Sequence, residues 1–392
     1  MTLRRKFVHL LFTCIVNNVL SHPTRRLPLL IAALLGLSLT ACGSDYPLGP
    51  EQEAAALRAN SDLRGTITGA GSSAQGPAMD GWISGFGTLH SQVQLQYSPD
   101  GSGAGRGALL ADAVQFAGSD AYLNDEELEE SKEACGPDGA FNIPTYVAPI
   151  SIAFNLPGIT ELDLDAQTIA GIFLGEITSW DDPAIADQNP DVDLPNLRIT
   201  PVSRSDDSGT TENFTDYLHA VVPDLWTSEA DGTWPSELGN ENSKGNAGVV
   251  STVSGTEGAV TYADDSAVGP PLGRANLLVG DEYVPVSIKA AAAALDIATP
   301  VDGRAENDIA LNLDRTTTEA GVYPLILVSY HIYCSSYPDE TTVELIKEFG
   351  TYVVSPEGQA AAAESAQNAP ISARLSERAT DAIQSITQRD PS

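Results

Sequence analysis

A short segment at residues 204–210 contains one arginine, two aspartates, and a glycine flanked by the hydroxyls of Ser208 and Thr210, at the start of a predicted helix over 210–220. The first N–H groups of a helix have no intrahelical partner and lie at the positive end of the helix dipole, so small residues there let an oxyanion approach. Asp206 and Asp207 must therefore either repel such an anion or accept a proton from it.

Two more segments rich in glycine and serine, 69–73 and 101–105, also follow predicted strands and precede predicted helices. They contribute Ser73 and Ser102, and Asp120 stands at the end of a third predicted strand. Loops in these positions are where open α/β sheets bind ligands. Three such loops, together with the arginine, predict a site for a small tetrahedral oxyanion. Neither GxGxxG nor the P-loop pattern of the nucleotide-binding proteins occurs in the sequence.

Short apolar strands alternate with helical patterns along the chain. The predicted strands cover 64–68, 93–97, 114–118, 142–155, 198–203 and 323–334. The predicted helices cover 77–89, 106–113, 125–133, 165–174, 183–188 and 210–220. This alternation indicates an α/β fold rather than an all-β sandwich.

The N-terminus is typical of an export signal. The first 41 residues contain no acidic side chain, carry basic residues up to Arg26 and include an apolar run over 27–39. The residues Leu-Thr-Ala before Cys42 resemble a bacterial lipobox, in which the cysteine carries the lipid; the alternative is an ordinary secretory signal with a chance cysteine. We therefore expect a signal over 1–41, a lipid-anchored tether over 42–61 and an exported protein on the outer face of the cell membrane.

The chain is strongly acidic, with 20 Lys and Arg against 53 Asp and Glu and a net charge of −33. Removal of residues 1–41 takes away cations only, so the mature protein is more acidic still. Such a charge argues against nucleic acid as a partner, and any bound anion must be held by local donors against the long-range field.

Four cysteines are present, of which Cys14 lies in the predicted signal and Cys42 is the predicted lipidation site. The remaining two, Cys135 and Cys334, indicate one disulfide in an exported protein, or else two unrelated buried thiols. Their spacing excludes a CxxC metal site, and neither a metal nor another cofactor is expected.

In their order and spacing, the motifs resemble the PstS family, the periplasmic phosphate-binding proteins of the bacterial phosphate ABC importer. The resemblance runs from about residue 64 to the C-terminus. It rests on the segments 69–73, 97–105, 116–120, 150–158, 174–177, 180–182, 204–210, 244–246 and 258–262. The first of these loops, residues 69–76, departs from the family pattern. Ser73 and Ala74 replace Thr and Phe, and the turn before Pro77 is longer.

The resemblance implies which residues contact phosphate. Carried over by position, they are Ser73, the backbone of Ala74, Ser102, Asp120, Arg204, Ser208, Gly209 and Thr210, with Asp206 beside Arg204. The resemblance also implies inorganic phosphate as the ligand, the permease subunits of an ABC importer as partners, and a binding role without catalysis.

The fold implied by the resemblance has two α/β lobes joined by two crossing strands. One lobe would comprise 62–155 and 328–392, and the other 156–327. The two long apolar strands would be the crossings. If they pair antiparallel, they bring the two remaining cysteines of the mature chain together.

Asp120 would then select phosphate over sulfate. Phosphate near neutral pH still carries a proton, whereas sulfate carries none. An ionised carboxylate only accepts hydrogen bonds, so it would accept a phosphate hydroxyl but oppose the bare oxygens of sulfate at a cost of several kcal/mol. Arg204 would supply a fixed donor fork and compensating charge. Asp206 would either orient that fork or accept a second ligand proton.

Three other functions stay open. A phosphate-ester hydrolase would also gather Ser, Asp and Arg, but the mature chain has only His90, His219 and His331, widely spaced, and no GxSxG motif. A binding protein for another oxyanion is the second alternative, which the two aspartates disfavour for unprotonated ligands. The third is an adhesion or signalling protein on the same scaffold.

Overall fold

The structure is a computed structural model that describes residues 62–389. The predicted signal over 1–41, the predicted lipidation site Cys42 and the tether over 42–61 lie outside the described residues. Within that range the chain forms sixteen strands and eleven α-helices.

The strands, numbered in chain order, are β1 Gly65–Gly71, β2 Val93–Ser98, β3 Phe116–Ser119, β4 Ala140–Phe154, β5 Glu161–Leu164, β6 Thr200–Arg204, β7 Glu241–Ser243, β8 Ala259–Asp264, β9 Gly273–Val279, β10 Glu282–Val284, β11 Thr299–Pro300, β12 Leu311–Asn312, β13 Ile326–Cys334, β14 Ser336–Tyr337, β15 Ala369–Pro370 and β16 Thr387–Gln388. The helices are α1 Gly76–Leu89, α2 Ser102–Leu110, α3 Asp125–Cys135, α4 Ala166–Phe173, α5 Pro183–Ala186, α6 Gly209–Val221, α7 Gly245–Ser254, α8 Ile288–Asp296, α9 Glu340–Val354, α10 Pro356–Ala366 and α11 Ala373–Gln384.

Twelve of the strands form one sheet, whose main order is β2-β1-β3-β13-β4-β8-β6-β7. β1 pairs in parallel with β2 and β3, and β6 pairs in parallel with β7 and β8. The sheet therefore contains two sets of parallel strands, each connected through helices. The predicted α/β class is confirmed.

β4 and β13 are the longest strands, and every residue in both is buried. They run antiparallel, with Ile326 opposite Pro149 and Cys334 opposite Ala140. The last part of β4, residues 150–154, pairs instead with β8. β4 therefore extends from one set of parallel strands to the other.

The two cysteines at the ends of α3 and β13 are bonded to each other. Cys135 and Cys334 form a disulfide between Cα atoms 4.6 Å apart, across 199 residues of sequence. The antiparallel pairing of β4 and β13 brings the end of α3 close to the end of β13. The predicted disulfide is confirmed.

One helix begins earlier than the sequence predicts. The sequence indicates a loop before a helix over 106–113, but α2 begins at Ser102. Two of the three glycines that indicated a loop, Gly103 and Gly105, are inside the helix, where they permit close contacts, whereas Gly101 precedes it. A Cβ on Gly103 would lie 2.0 Å from the carboxyl carbon of Asp207, and one on Gly105 would lie 2.4 Å from a main-chain oxygen of β1. Glycine here serves packing rather than loop flexibility.

Aromatic side chains fill the core around β3 and β13. Phe116 and Trp82 pack against His331 with ring centroids 4.9 and 5.1 Å away. Burial lowers the pKa of His331 to about 3, so the ring is neutral near pH 7. None of the helices between residues 62 and 389 is long and apolar enough to cross a membrane.

Candidate functional site

The predicted site residues meet where strands end and helices begin. Ser102 and Gly209 are the first residues of α2 and α6, and Ser73 lies between β1 and α1. A Cβ on Gly209 would lie 2.6 Å from Ser102 Oγ, and Arg204 Nη2 donates to Ser73 Oγ at 3.1 Å. The positive ends of α2 and α6 therefore lie close together, which favours an anion between them.

Arg204, the last residue of β6, is only 2% exposed. Its Nε donates to Asp206 Oδ1 at 2.9 Å, and its Nη2 donates to Asp206 Oδ2 and to Ser73 Oγ. Its Nη1 is buried and has no hydrogen-bond partner. A guanidinium has five N–H donors, so the two on Nη1 remain for a ligand. A buried donor without a partner costs about 1–3 kcal/mol, and an anion at Nη1 would remove that cost.

Asp206 contacts the guanidinium through both carboxylate oxygens. Burial would raise the pKa of Asp206, but the hydrogen bonds and charge of Arg204 outweigh it, together with the N–H of Gly245, which donates to Oδ1 at 2.9 Å. The pKa of Asp206 is therefore lowered. Of its two predicted roles, orientation of the Arg204 fork is the one that this geometry supports.

The Asp120 carboxylate is buried and held by two hydroxyls. Ser72 Oγ donates to Oδ2 at 2.5 Å, and Ser329 Oγ donates to Oδ1 at 2.9 Å. Burial raises the pKa of Asp120, while these hydrogen bonds and the charge of Arg204 oppose the rise. A carboxylate has about four acceptor positions. Two are used here, so acceptor capacity is left for a ligand hydroxyl.

Ser73 receives hydrogen bonds from a residue that sequence reasoning missed as a site residue. Asn246, the second residue of α7, donates to Ser73 Oγ from its main-chain N at 3.1 Å and from Nδ2 at 3.3 Å. The same Nδ2 lies 3.5 Å from Thr210 Oγ1. Asn246 therefore joins the first loop to α6, and the contacts leave the hydroxyl proton of Ser73 for another acceptor.

The first turn of α6 contains hydrogen-bond donors that have no partner within the helix. Ser208 precedes the helix, and its Oγ accepts from Thr211 N at 3.2 Å. Gly209 and Thr210 occupy the first helical positions, where N–H groups have no intrahelical partner. The hydroxyl proton of Ser208 and these two N–H groups are thus available to an oxyanion.

The longer first loop has its own internal contacts. The N–H of Ala74 donates to Ser72 Oγ at 3.0 Å, so this predicted ligand contact is engaged within the loop. Gln75 Nε2 donates to Ser329 Oγ at 3.0 Å and to Tyr330 O at 3.2 Å. The departure from the family pattern therefore places an amide side chain against β13.

A second buried arginine stands beside the site, which sequence reasoning did not predict. Arg106 Nε donates to Glu127 Oε1 at 2.7 Å, and its Nη atoms lie 3.7 Å from Glu212 Oε2 and 4.0 Å from Asp207 Oδ1. Burial raises the pKa of Glu212 to about 7, more than the charge of Arg106 lowers it. Three carboxylates thus share one cation, and Asp207 belongs to this cluster rather than to the Arg204 fork.

The principal charged residues line two cavities. A cavity of about 470 Å³ includes Asp120 in its lining, and another of about 360 Å³ includes Arg204 and Asp206. The two share no lining residue, and Ser73 and Gly209 line neither. Gly209 is buried, whereas Ser73 is partly exposed.

The residues that sequence reasoning missed differ in the signals they carry. Ser72 and Asn246 lie within segments that carry the family resemblance. Ser72 precedes the predicted site residue Ser73, and Asn246 follows a Lys-Gly pair. Ser329 lies inside a continuous apolar strand, where no local signal marks it. Across residues 62–389, no group of three or more His, Cys, Asp or Glu side chains is arranged to hold a metal ion.

Comparison with known sequences gives long alignments. The PBP superfamily domain matches residues 56–357. The chain is 34% identical over 325 residues to the phosphate-binding protein PstS3 of Mycobacterium bovis, covering 81% of this chain and 87% of that relative. It is 35% identical over 291 residues to the phosphate-binding protein PstS 2 of Mycobacterium tuberculosis, covering 73% and 78%.

Solved structures share the fold at lower identity. A high-affinity periplasmic phosphate-binding protein, PfluDING, bound with phosphate, matches with a TM-score of 0.64 and 22% identity, over 80% of this chain and 92% of that one. A phosphate-binding protein from Stenotrophomonas maltophilia matches with a TM-score of 0.61 and 21% identity, over 81% and 93%. The predicted two-lobed periplasmic-binding-protein fold is confirmed.

Proposed function

The chain belongs to the family of the PstS phosphate-binding proteins within the PBP superfamily, and we propose that it binds inorganic phosphate outside the cytoplasm and delivers it to the permease of an ABC importer. The observation that carries the proposal is the Arg204 fork, which Asp206 orients while Nη1 stays buried and unpartnered. The names of the relatives support the same ligand.

The proposed phosphate contacts comprise donors from three segments and one acceptor from a fourth. They are Ser73, Ser102, Asp120, Arg204, Ser208, Gly209 and Thr210, with Asp206 orienting Arg204. The Ala74 N–H, predicted as a further contact, donates to Ser72 Oγ instead and would contribute only if it exchanged that partner for the ligand. The donors would neutralise any tetrahedral oxyanion, because charge-assisted hydrogen bonds from a guanidinium and helix N-termini act together. Asp120 would restrict the ligand to one with a proton to donate.

We further propose that residues 62–155 and 328–392 form one lobe and 156–327 the other, and that the contacts described above belong to the closed arrangement. Lys244 Nζ lies 2.8 Å from Asp100 Oδ1 across the proposed boundary. The described residues belong to one compact unit, which fits lobes that are closed on each other. Release of phosphate would then require the lobes to open.

A binding role without catalysis is the favoured function. The buried His331 ring has its pKa lowered to about 3, so it is a poor base for activating a serine. The hydroxyls near Asp120 donate to a carboxylate rather than to a histidine. A phosphate-ester hydrolase therefore stays the weaker alternative.

Attachment to the membrane is proposed from the N-terminal sequence alone. Lipidation at Cys42 after removal of 1–41 would hold the protein at the outer face of the cell membrane through the 42–61 tether. The protein would then stay close to the permease subunits that receive phosphate.

Titration calorimetry of the purified protein with phosphate and with sulfate tests the proposed ligand. We expect saturable binding of one phosphate and no measurable sulfate binding. Arg204→Ala should abolish phosphate binding, because it removes both the fork and the compensating charge. Arg304→Ala is the control, since the Arg304 side chain is also only 8% exposed and ion-paired, with Asp308 at 3.3 Å, but lies outside the proposed site.

Two outcomes would contradict the proposal. Equal affinity for phosphate and sulfate would exclude the carboxylate as a selectivity element and favour a general oxyanion-binding protein. Sustained hydrolysis of p-nitrophenyl phosphate by the wild type, lost in Arg204→Ala, would favour the hydrolase.

A further inference from the structure

The side-chain amide of Asn213 joins two main-chain groups of the site. Asn213 lies in α6, four residues after Gly209, and is 7% exposed. Its Nδ2 donates to the main-chain O of Gly209 at 2.8 Å and to the main-chain O of Asp120 at 2.7 Å. One amide nitrogen therefore holds the Asp120 backbone against the first turn of α6.

Arg315 fixes the orientation of this amide. Its Nη2 donates to Asn213 Oδ1, and a guanidinium has no acceptor, so Oδ1 must face Arg315 and Nδ2 must face the two carbonyls. Arg315 is itself held by Asp216 Oδ2 at 2.8 Å and by the main-chain O atoms of Pro324 and Ile326 at 2.9 and 2.8 Å. Each of its three nitrogens donates to a protein acceptor, so the guanidinium is held in place beside the amide.

We propose that Asn213 is a positioning residue for phosphate binding, which acts through Asp120 and Gly209 and is oriented by Arg315. This inference rests on the proposed function. Asp120 carries the acceptor for the ligand proton, and Gly209 carries a donor for a ligand oxygen. The Asn213 amide fixes the distance between the main chain at Asp120 and the main chain at Gly209. It thereby fixes the distance between the proposed acceptor, the Asp120 carboxylate, and the proposed donor, the Gly209 N–H.

The same contact would also slow phosphate release. With the proposed lobe boundaries, Asp120 and Asn213 belong to different lobes, so the hydrogen bond between them forms only on closure. Opening breaks it together with the ligand contacts. Loss of this bond should therefore raise the dissociation rate of phosphate more than it lowers the association rate.

Asn213→Asp removes the donor while keeping the shape. The aspartate still pairs with Arg315, but its second oxygen faces two carbonyl oxygens with no hydrogen to share. Asn189 provides a matched control outside the site. It is also buried, and its Nδ2 donates to Ile185 O, four residues earlier, at 2.9 Å and to Asp163 O at 2.8 Å. Asn189→Asp therefore creates the same conflict elsewhere in the fold.

Phosphate affinity by calorimetry, phosphate dissociation by stopped flow and the Tm of the ligand-free protein are measured for the wild type and both variants. We expect both variants to have a lowered Tm, but only Asn213→Asp to bind phosphate about tenfold or more weakly and release it correspondingly faster. Unchanged affinity in Asn213→Asp, or the same loss in Asn189→Asp, would overturn the proposal. A wild type that fails to bind phosphate would instead refute the proposed function.

Arg315→Lys keeps the inference testable if Asn213→Asp does not fold. A lysine keeps a charge beside Asp216 and can donate to Asn213 Oδ1, but it lacks the fork that also holds two carbonyls. Phosphate dissociation should be about threefold faster or more. A dissociation rate equal to that of the wild type would overturn the role of Arg315, and with it the oriented amide.

Discussion

Replacement of Asp120 by asparagine should weaken phosphate binding and admit sulfate. The substitution keeps the size of the side chain but removes its charge. At present Ser72 and Ser329 donate to the two carboxylate oxygens at 2.5 and 2.9 Å. In Asp120→Asn, one of these hydroxyls can rotate to accept from the new amide. The pocket therefore keeps its packing and loses the acceptor that a phosphate hydroxyl would use.

The size of the effect follows from the charge of the acceptor. A hydrogen bond to a charged group contributes about 1.5–3 kcal/mol, and about 1.4 kcal/mol corresponds to a tenfold change in affinity. Phosphate should therefore bind about 10- to 100-fold more weakly. Sulfate should gain by a similar factor, because the buried charge that opposes its oxygens is gone.

Calorimetric titration of the wild type and Asp120→Asn with phosphate and with sulfate measures these two changes in affinity. Asp308→Asn is the control, because the Asp308 carboxylate is likewise buried and accepts hydrogen bonds from Asn142 N and Nδ2 at 2.9 and 2.7 Å. Asp308→Asn should lower stability and leave the selectivity for phosphate unchanged. If Asp120→Asn still rejects sulfate and binds phosphate like the wild type, the carboxylate is not the selectivity element.

The wild type should also bind sulfate more tightly at acidic pH. Burial raises the pKa of Asp120, so its protonation begins at a higher pH than that of a free aspartate, and a protonated carboxyl can donate to sulfate. Sulfate affinity should therefore rise as the pH falls, and the rise should begin at a higher pH than the ordinary pKa of an aspartate would set. Asp120→Asn lacks the titrating group and should show a much smaller pH dependence.

Three further predictions concern packing, charge and the disulfide. Gly209→Ala should weaken calorimetric phosphate binding about tenfold, because its Cβ would lie 2.6 Å from a site hydroxyl, whereas Gly87→Ala, which meets no atom within 4 Å, should bind like the wild type. The Tm of Glu212→Gln should exceed that of the wild type by an amount that grows as the pH rises from about 4.5 to about 7. The reason is that burial raises the pKa of Glu212 to about 7, so its ionisation in this range destabilises the folded wild type. A Tm difference that does not change with pH would contradict this. Reduction of Cys135–Cys334 should lower the free energy of unfolding in urea by about 2–5 kcal/mol, and an unchanged midpoint would refute a stabilising role.

Local chemistry marks part of the candidate site in the sequence. The segment from Arg204 to Thr210 stood out because a capping serine, a helix-start glycine and a charged fork are adjacent in sequence, and the structure has Ser208 as the N-cap of α6. Glycine was harder to interpret. At Gly103 it permits a close contact inside α2 rather than a loop, and that distinction depends on a neighbour 104 positions away, Asp207.

Contacts between distant segments could not be predicted in this way. Ser329 reaches Asp120 from 209 residues away, beside an irregularity in the pairing of β13 with β4 between Ser329 and Tyr330. Such an irregularity changes which side chains face a given side of the sheet. Asn213 lies on the same helix as the recognised motif, yet its partner Asp120 O lies just after the end of β3, 93 residues away in sequence.

The linear order of residue types was enough for the properties that depend on neighbours along the chain: the α/β alternation, the helix starts that favour an anion, the acidic charge and the two cysteines left to pair. Tertiary structure decided how those parts are used. It brings the hydroxyls of Ser72 and Ser329 into hydrogen bonds with Asp120. It leaves Nη1 of Arg204 buried without a hydrogen-bond partner and places Asp207 beside Arg106. The reason is that a hydrogen bond is lost when its donor and acceptor move apart by about an ångström. Which distant residues become partners therefore depends on strand register and helix packing.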